Sequence, residues 1–324
     1  MSKVHIFHRE KAILNAHDQV RVSFDNFWPG FSPHAFFLPF VSQSLGMHAV
    51  LSAGAESDLS FTSVFPRNNL FIRGVRMLFG PGAKQIPPRR THGPRARVNI
   101  WYTGENERPP AAGFDLSYSY DSDSYGGGNS YLPLVITGLD WFSDGGAQKG
   151  LEYKRAGHIV APSVVAKPRI TNVASRPRFA CAFIGNLEPT RLRALAALQR
   201  LGEVDVFGQG VNRPVRDKFS IAQHYKFMLC FENDLYPGYV TEKPLDAWGA
   251  GCIPLWRGID NESLLNPASL LNAADFGSLE NFVDSVAQLE SDKEKLSQMG
   301  AESLFASEPS LQNASRALEN IFNR

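Results

Sequence analysis

The first half of the chain carries its hydrophobic positions in short runs that polar residues interrupt. Residues 20–24 and 98–102 are predicted to be strands, and residues 35–45 are predicted to form an amphipathic helix. Residues 80–97 are rich in Gly and Pro, and residues 121–130 are rich in Ser, Asp and Gly. Both stretches are therefore predicted to be loops, the second of them a flexible one.

The second half alternates strand-length apolar runs with longer, helix-length patterns. Such alternation is typical of a parallel, doubly wound α/β sheet. Thr241 is predicted to be the N-cap of the helix that follows it. Strands are predicted over residues 179–184, 204–207, 227–231 and 253–256, and helices over residues 189–201, 218–224, 241–249, 281–289 and 312–322.

The length of the chain, 324 residues, favours two domains of roughly 150 residues each. A segment with weak periodicity and several prolines follows residue 160, and we place the boundary there. The predicted domains are residues 1–165 and residues 166–324. The last helix is expected to be able to pack back on the N-terminal domain.

Composition narrows the class of protein. Apolar residues make up 43% and charged residues 20% of the chain, which is typical of a globular protein with substantial cores. The net charge of +1 provides no long-range field for nucleic acid, so no nucleic-acid partner is predicted. The three widely spaced cysteines form no CxxC pair, which argues against a disulfide framework and a zinc site.

No targeting or membrane-spanning segment is recognisable. Residues 1–10 lack the long apolar core of a signal peptide, and no apolar run approaches the roughly 18 residues of a membrane span. We therefore expect a cytoplasmic protein. A basic run lies in the Pro-rich segment of residues 84–97. Such runs are typical of solvated loops, and contact with an anionic acceptor or the inner face of the membrane is the alternative.

The segment of residues 225–258 carries the strongest chemical signal. A buried strand ends in Glu232 and Asn233, and the helix after the next loop has Glu242 and Lys243 in its first turn. Ligands of doubly wound sheets bind beyond the carboxyl ends of the strands, where a helix N-terminus favours phosphate. Lys243 would add a full positive charge. From spacing alone, a solvated Glu-Lys pair on an amphipathic helix fits equally well.

Two further segments place charged side chains at the ends of elements. The strand of residues 98–102 runs into Thr-Gly-Glu-Asn, where Gly104 is predicted to give a tight turn that projects Glu105. On the residues alone, an ordinary exposed carboxylate is favoured. Arg191 and Arg193 lie near the start of a helix, and the planar guanidinium suits phosphate oxygens. A solvated helix face is the alternative for both arginines.

Together these segments resemble the α-1,3/4-fucosyltransferases of glycosyltransferase family 10, in particular its soluble bacterial members. The similarity extends over roughly residues 22–300. Pro244 departs from the family pattern, but proline in a first helical turn costs little. The motifs that carry the resemblance are FWPGF at residues 27–31, YTGEN at 102–106, LPL at 132–134, VDVFG at 204–208, FEN at 231–233 and YVTEK at 239–243.

The resemblance implies a fold and a reaction. The fold is α/β of the GT-B type, with two Rossmann-like domains that face each other across a cleft. The reaction is the inverting transfer of L-fucose from GDP-β-L-fucose to a hydroxyl of an acceptor glycan, through an α-1,3 linkage to GlcNAc or Glc of an N-acetyllactosamine- or lactose-type acceptor. Oligosaccharides and lipopolysaccharide-type glycans are the implied acceptor partners.

The resemblance also assigns roles to individual residues. Glu105 and Glu242 are the implied catalytic residues, the first as general base and the second as a stabiliser of positive charge on the sugar. No metal site and no required cofactor are predicted, and a divalent metal would be at most stimulatory. The implied donor-binding residues are Arg191, with Arg193 less favoured, Asn233, Tyr239, Glu242 and Lys243.

Two other functions remain open at the level of sequence. Asp121-Ser122-Asp123 fits the D-x-D pattern by which other glycosyltransferases hold a metal and a sugar nucleotide. The alternatives are thus a metal-dependent glycosyltransferase that uses Asp121 and Asp123, and a non-catalytic protein that binds a sugar or a nucleotide.

Overall fold

The computed structural model describes residues 18–28, 30–52, 56–65, 96–142 and 160–324. Two compact units are present. The first unit comprises the chain up to Tyr102 together with Pro110–Ser117 and Gln312–Arg324, and the second comprises Thr103–Pro109 and Tyr118–Leu311. The domain boundary after residue 165 stays a prediction. Most of the basic 84–97 segment, residues 84–95, lies outside the described residues.

The first unit is built on parallel strands. β1 lies between β2 and β3, and β4 pairs with β3. The strands of this unit follow the order β2-β1-β3-β4-β5. They are β1 (Gln19–Asp25), β2 (His48–Leu51), β3 (Leu59–Thr62), β4 (Val98–Tyr102) and β5 (Leu116–Ser119), whereas β6 (Asn129–Tyr131) belongs to the residues of the second unit.

An aromatic core and one helix pack against this sheet, and the C-terminal helix packs on that helix. The rings of Phe24 and Phe61 stack with centroids 5.4 Å apart. Helix α1 (Phe37–Leu45) ends where Gly46 takes the left-handed conformation that terminates helices readily. The C-terminal helix, Gln312–Phe322, packs on α1, where the Ser44 hydroxyl donates to Ser315 Oγ at 2.9 Å.

The second unit contains a five-stranded, all-parallel sheet in the order β11-β10-β9-β7-β8. The carboxyl ends of all five strands therefore lie at the same edge of the sheet. The strands are β7 (Arg178–Phe183), β8 (Val204–Phe207), β9 (Tyr225–Phe231), β10 (Ile253–Arg257) and β11 (Leu271–Asn272).

The helices that follow α1 along the chain are short or of moderate length. Among the described residues, no helix is both long and apolar enough to cross a membrane. The helices are α2 (Leu134–Thr137), α3 (Pro162–Val165), α4 (Pro189–Leu198), α5 (Lys218–Ala222), α6 (Lys243–Gly249), α7 (Leu279–Ser291), α8 (Lys293–Ala301) and α9 (Gln312–Phe322).

Two sequence-based expectations need correction. Helix α6 begins at Lys243 with Glu242 as its N-cap, and not at a Thr241 cap, because the Thr241 hydroxyl donates to the Glu232 carboxylate instead. Helix α8 was not expected. It buries only Leu296 and Gly300, so its hydrophobic periodicity is weak.

Candidate active site

A cavity of about 270 Å³ opens at the carboxyl ends of β7 and β9 in the second unit. Parallel strands bring their following loops together at this edge, which is where ligands bind in such sheets. All six residues that the sequence analysis selected line this cavity, namely Glu105, Arg191, Asn233, Tyr239, Glu242 and Lys243.

Asn233, which follows the end of β9 by two residues, joins the charged groups of the cavity. Its Oδ1 accepts hydrogen bonds from Arg191 at 2.5 Å and from Lys243 at 3.3 Å. Its Nδ2 faces Glu105 Oε2 at 3.5 Å. One amide side chain therefore has two cations on its oxygen side and a carboxylate on its nitrogen side.

Arg191 is a buried arginine and not part of a solvated helix face. It is 7% exposed, in the first turn of α4, and donates to the backbone carbonyls of Asn186 at 3.2 Å and Phe231 at 3.0 Å. Arg193, two residues later, is exposed and donates to Thr190 Oγ1 at 3.3 Å. The start of α4 thus directs only the first of these two arginines into the cavity.

Glu232 is a site residue to which the sequence analysis gave no role. Its side chain is fully buried and accepts from Lys243 Nζ at 2.7 Å, from the Thr241 hydroxyl at 2.8 Å and from Trp256 Nε1 at 3.2 Å. The Thr241 backbone N–H donates to it as well, at 2.9 Å. Glu232 directly follows the apolar residues of β9 in the sequence. A charged residue at such a position indicates a buried carboxylate, and a buried charge needs partners.

The backbone beside Glu105 is held by a local hydrogen-bonded turn. The Thr103 hydroxyl, which is buried, accepts from the Glu105 N–H at 3.0 Å and donates to the Glu105 carbonyl at 2.7 Å. The turn was expected to depend on Gly104. The Thr103 side chain holds it instead, since a hydroxyl can mimic a backbone turn.

Tyr239 supplies a protonated hydroxyl among carboxylates. It is 1% exposed, and its ring packs edge-on against Tyr120 with centroids 4.7 Å apart. Burial, followed by the negative charges of Glu105, Glu232 and Glu242, raises the pKa of Tyr239 far above its ordinary value. The hydroxyl therefore keeps its proton at any working pH and can donate a hydrogen bond to a ligand.

The D-x-D loop is tied down by its own hydrogen bonds and is not simply flexible. The Asp121 carboxylate pairs with Arg108 through one oxygen and accepts the Tyr125 hydroxyl at 2.7 Å through the other. Asp123 Oδ1 accepts the Tyr125 backbone N–H at 2.8 Å. Asn129 donates to the carbonyls of both aspartates. Within the described ranges, no three His, Cys, Asp or Glu side chains converge so that they could hold a metal ion.

Comparison with known proteins places residues 173–299 in the profile of Glycosyltransferase family 10 (fucosyltransferase) C-term. The Alpha-(1,3)-fucosyltransferase FucT of Helicobacter pylori is 28% identical over 212 residues, which are 60% of this chain and 44% of that protein. The human 4-galactosyl-N-acetylglucosaminide 3-alpha-L-fucosyltransferase FUT5 is 26% identical over 279 residues, 82% of this chain and 65% of that protein. The chain thus spans less than two thirds of the length of either relative, and the family resemblance of the motifs is confirmed.

Solved structures confirm the predicted fold class. A crystal structure of an alpha1,3-fucosyltransferase matches with a TM-score of 0.69 at 21% identity, over 97% of this chain and 93% of that one. A crystal structure of an alpha1,3-fucosyltransferase with GDP-fucose matches with a TM-score of 0.68 at 20% identity, over 97% and 94%. The two units, each with a parallel sheet, are α/β structures of the GT-B class.

Proposed function

We propose that the chain belongs to glycosyltransferase family 10 and is a fucosyltransferase that moves L-fucose from GDP-β-L-fucose to a hydroxyl of an acceptor glycan. One observation carries the proposal, namely that Asn233 brings the Glu105 carboxylate and the cations of Arg191 and Lys243 together in one cavity. The relatives' names support fucose transfer, and the neighbour solved with GDP-fucose supports this donor.

Glu105 acts as the general base in the proposed mechanism. The acceptor oxygen attacks the anomeric carbon of fucose while Glu105 takes its proton, and the bond from that carbon to the diphosphate oxygen breaks with its electron pair leaving on GDP. A positioned base of this kind contributes roughly 10²–10⁴-fold to the rate. Because the displacement is direct, the β-linked donor gives an α-linked product.

Arg191 and Lys243 stabilise the departing diphosphate. Both already donate to a single oxygen atom, Asn233 Oδ1, so both are aimed at one point in the cavity. A phosphate oxygen near that point would receive the same two charge-assisted hydrogen bonds. Donors that are oriented before the reaction stabilise developing charge without reorganisation. Helix α6 has only seven residues. The proposal therefore does not depend on the N-terminus of this helix, but on the side chains of Arg191 and Lys243.

Glu242 and Tyr239 act on the sugar side of the donor. A Glu242 carboxylate near the anomeric carbon stabilises the positive charge of the oxocarbenium-like transition state, and the protonated Tyr239 hydroxyl donates a hydrogen bond to the donor. We propose α-1,3 transfer to GlcNAc or Glc of an N-acetyllactosamine- or lactose-type glycan, which agrees with the name of the human relative. Lipopolysaccharide-type glycans that carry such units are acceptors of the same class.

Release of GDP from the donor tests the proposal. We expect the protein to release GDP from GDP-fucose, and to do so faster when an acceptor such as N-acetyllactosamine is added. GDP-mannose serves as the control donor, because it has the same nucleotide and a different sugar. Equal rates from the two donors, or release from neither, would contradict the proposed donor.

Chelation of divalent metal is expected to leave at least part of the activity intact. Arg108 and the Tyr125 hydroxyl occupy both carboxylate oxygens of Asp121, whereas two cations line the proposed donor cavity, Arg191 and the Glu232-paired Lys243. The measurement is the fucose-transfer rate before and after dialysis against EDTA. Complete loss that manganese restores would favour the metal-dependent alternative through Asp121 and Asp123.

Glu232→Ala is expected to destabilise the protein by about 3 kcal/mol or more, because it leaves buried donors and the Lys243 ammonium without their acceptor. Urea unfolding measures the change. Lys295→Ala is the control, since it breaks an ion pair with Asp292 in which the Lys295 side chain is 73% exposed. That change is expected to be about 1 kcal/mol or less, and equal losses in the two variants would contradict the role of Glu232 as the buried anchor.

A further inference from the structure

A strip of polar and aromatic side chains continues from Glu105 along the second unit. Asn106 Nδ2 donates to Asp234 Oδ2 at 2.8 Å, and Arg108 donates to Asn106 Oδ1 at 2.5 Å. The Arg108 guanidinium also lies over the Tyr236 ring, 3.3 Å from its centroid. These contacts hold the loop of Glu105, the proposed base, against the loop that follows Asn233.

Tyr125 stands on the outer side of this strip. It is 52% exposed, although its hydroxyl donates to Asp121 at 2.7 Å and its N–H donates to Asp123. The hydrogen bond to Asp121 is the main reason that the pKa of Tyr125 rises to about 12, so the hydroxyl continues to donate at working pH. The ring is therefore exposed and also held in one place.

The backbone at Tyr125 is strained. Its φ is +47°, a left-handed conformation that is unfavourable for a bulky residue. Three glycines follow it in the sequence. An outlier of this kind persists only where the surroundings hold it, and such outliers concentrate at functional sites.

The loop around Tyr125 has both room and support for a ligand. A Cβ built at Gly126 or Gly127 meets no atom within 4 Å, so open space lies at these two glycines, which directly follow Tyr125 in the chain. From the other side, Asn261 donates to Ser122 Oγ at 2.9 Å and ties the loop down. A rigid aromatic face loses little conformational entropy when it binds an apolar surface.

The charges of the strip restrict what it can bind. Arg108 is neutralised by its pair with Asp121, whereas Asp123 and Asp234 are exposed carboxylates. A pyranose offers an apolar face for an aromatic ring and hydroxyls for carboxylate and amide groups. An anionic sugar would meet repulsion from the two exposed carboxylates, so the strip is suited to a neutral one.

We propose that Tyr125, supported by Asp121 and Arg108, forms a subsite for a second, neutral sugar of the acceptor, next to the sugar whose hydroxyl Glu105 deprotonates. This inference rests on the proposed function. It implies that the enzyme prefers a disaccharide or longer neutral glycan to a monosaccharide. It also gives the D-x-D loop a role in binding the acceptor.

Two variants distinguish the contribution of the Tyr125 ring to acceptor binding from the contribution of its hydroxyl. Tyr125→Asn removes the ring and is compatible with the left-handed backbone, since Asn tolerates it. Tyr125→Phe keeps the ring and removes only the hydroxyl. Rates of fucose transfer to N-acetyllactosamine and to N-acetylglucosamine are measured for each, normalised to the hydrolysis of GDP-fucose without acceptor, which reports a folded donor site.

Tyr125→Asn is expected to raise the KM for the disaccharide by roughly five- to tenfold, as expected for loss of an aromatic contact, and the KM for the monosaccharide by less than about twofold. Tyr125→Phe keeps the ring but releases it from Asp121, so it should raise the disaccharide KM by less than Tyr125→Asn does and leave the monosaccharide KM within about twofold. If the unmutated protein transfers fucose and Tyr125→Asn leaves the disaccharide KM unchanged, or raises both KM values alike, the subsite is wrong and the proposed function stands. If the unmutated protein neither hydrolyses nor transfers from GDP-fucose, both proposals fail.

Discussion

Glu105→Gln is expected to lower the turnover of fucose transfer by roughly 10²–10⁴-fold while the affinity for GDP stays nearly unchanged. Glutamine has the same shape as glutamate and can keep the contact with Asn233, but it cannot take the proton of the acceptor. Steady-state transfer rates at saturating donor and acceptor measure the first quantity, and isothermal titration with GDP measures the second.

Glu107→Gln is the matched control for this prediction. It makes the same change of charge in the same loop, two residues away, and Glu107 is not among the residues that line the cavity. Its turnover should remain close to that of the unmutated protein. Wild-type-like turnover of Glu105→Gln would remove Glu105 from the mechanism, and an equal loss in both variants would indicate a general effect of loop charge.

Arg191→Ala and Lys243→Ala are each expected to weaken GDP binding and to lower turnover at saturating GDP-fucose. The two side chains converge on one oxygen atom at Asn233, and the proposed interaction of both with the diphosphate would grow as the glycosidic bond breaks. Loss of one charge-assisted contact costs on the order of 1.5–3 kcal/mol, or roughly ten- to a hundredfold. Titration with GDP and a rate assay at saturating donor measure the two effects.

Arg193→Ala controls for the charge of helix α4. It removes one positive charge from an exposed position two residues from Arg191, and it should change neither GDP affinity nor turnover appreciably. Because Arg191 and Lys243 share Asn233, the double variant should lose less than the sum of the single losses. If both single variants match the unmutated protein in both assays, the proposed place of the diphosphate is wrong.

The elements of the second half of the chain could be predicted from sequence because their hydrophobic pattern alternates clearly. The strand at Val204–Phe207 and the helix at Gln312–Phe322 have the predicted bounds. Strands β2, β3 and β11 contain only two to four residues and were not predicted, because such runs are too short for an alternating pattern to stand out. The four-residue strand Val204–Phe207 was recognised, by contrast, because it follows a clear helical pattern and precedes a glycine.

The choice of cavity residues depended on similarity to a family and not on local pattern. Glu105, Arg191 and Lys243 are far apart in the sequence, and each on its own fits an ordinary solvated side chain. Only the resemblance connected the three segments. The structure adds that all of them line one cavity and that Asn233 lies between them.

Partners that come from other elements could not be predicted. Glu232 depends on Trp256 of the neighbouring strand and on Thr241 and Lys243 beyond a loop, and no local spacing shows these contacts. Asp121 was considered as a metal ligand because it belongs to a D-x-D pattern, and the sequence did not show that its carboxylate pairs with Arg108, 13 residues away. Pairings of this kind follow from how the chain folds back on itself.

Fucose transfer itself is detected by mass spectrometry of neutral glycans, including lactose and N-acetyllactosamine, after incubation of the protein with GDP-fucose. We expect a product that is heavier by one deoxyhexose residue, formed together with free GDP, and no such product with Glu105→Gln on the same timescale. Binding of GDP-fucose without any fucosylated product or release of GDP would show that the protein is not a fucosyltransferase, and would favour a non-catalytic protein that binds a sugar nucleotide.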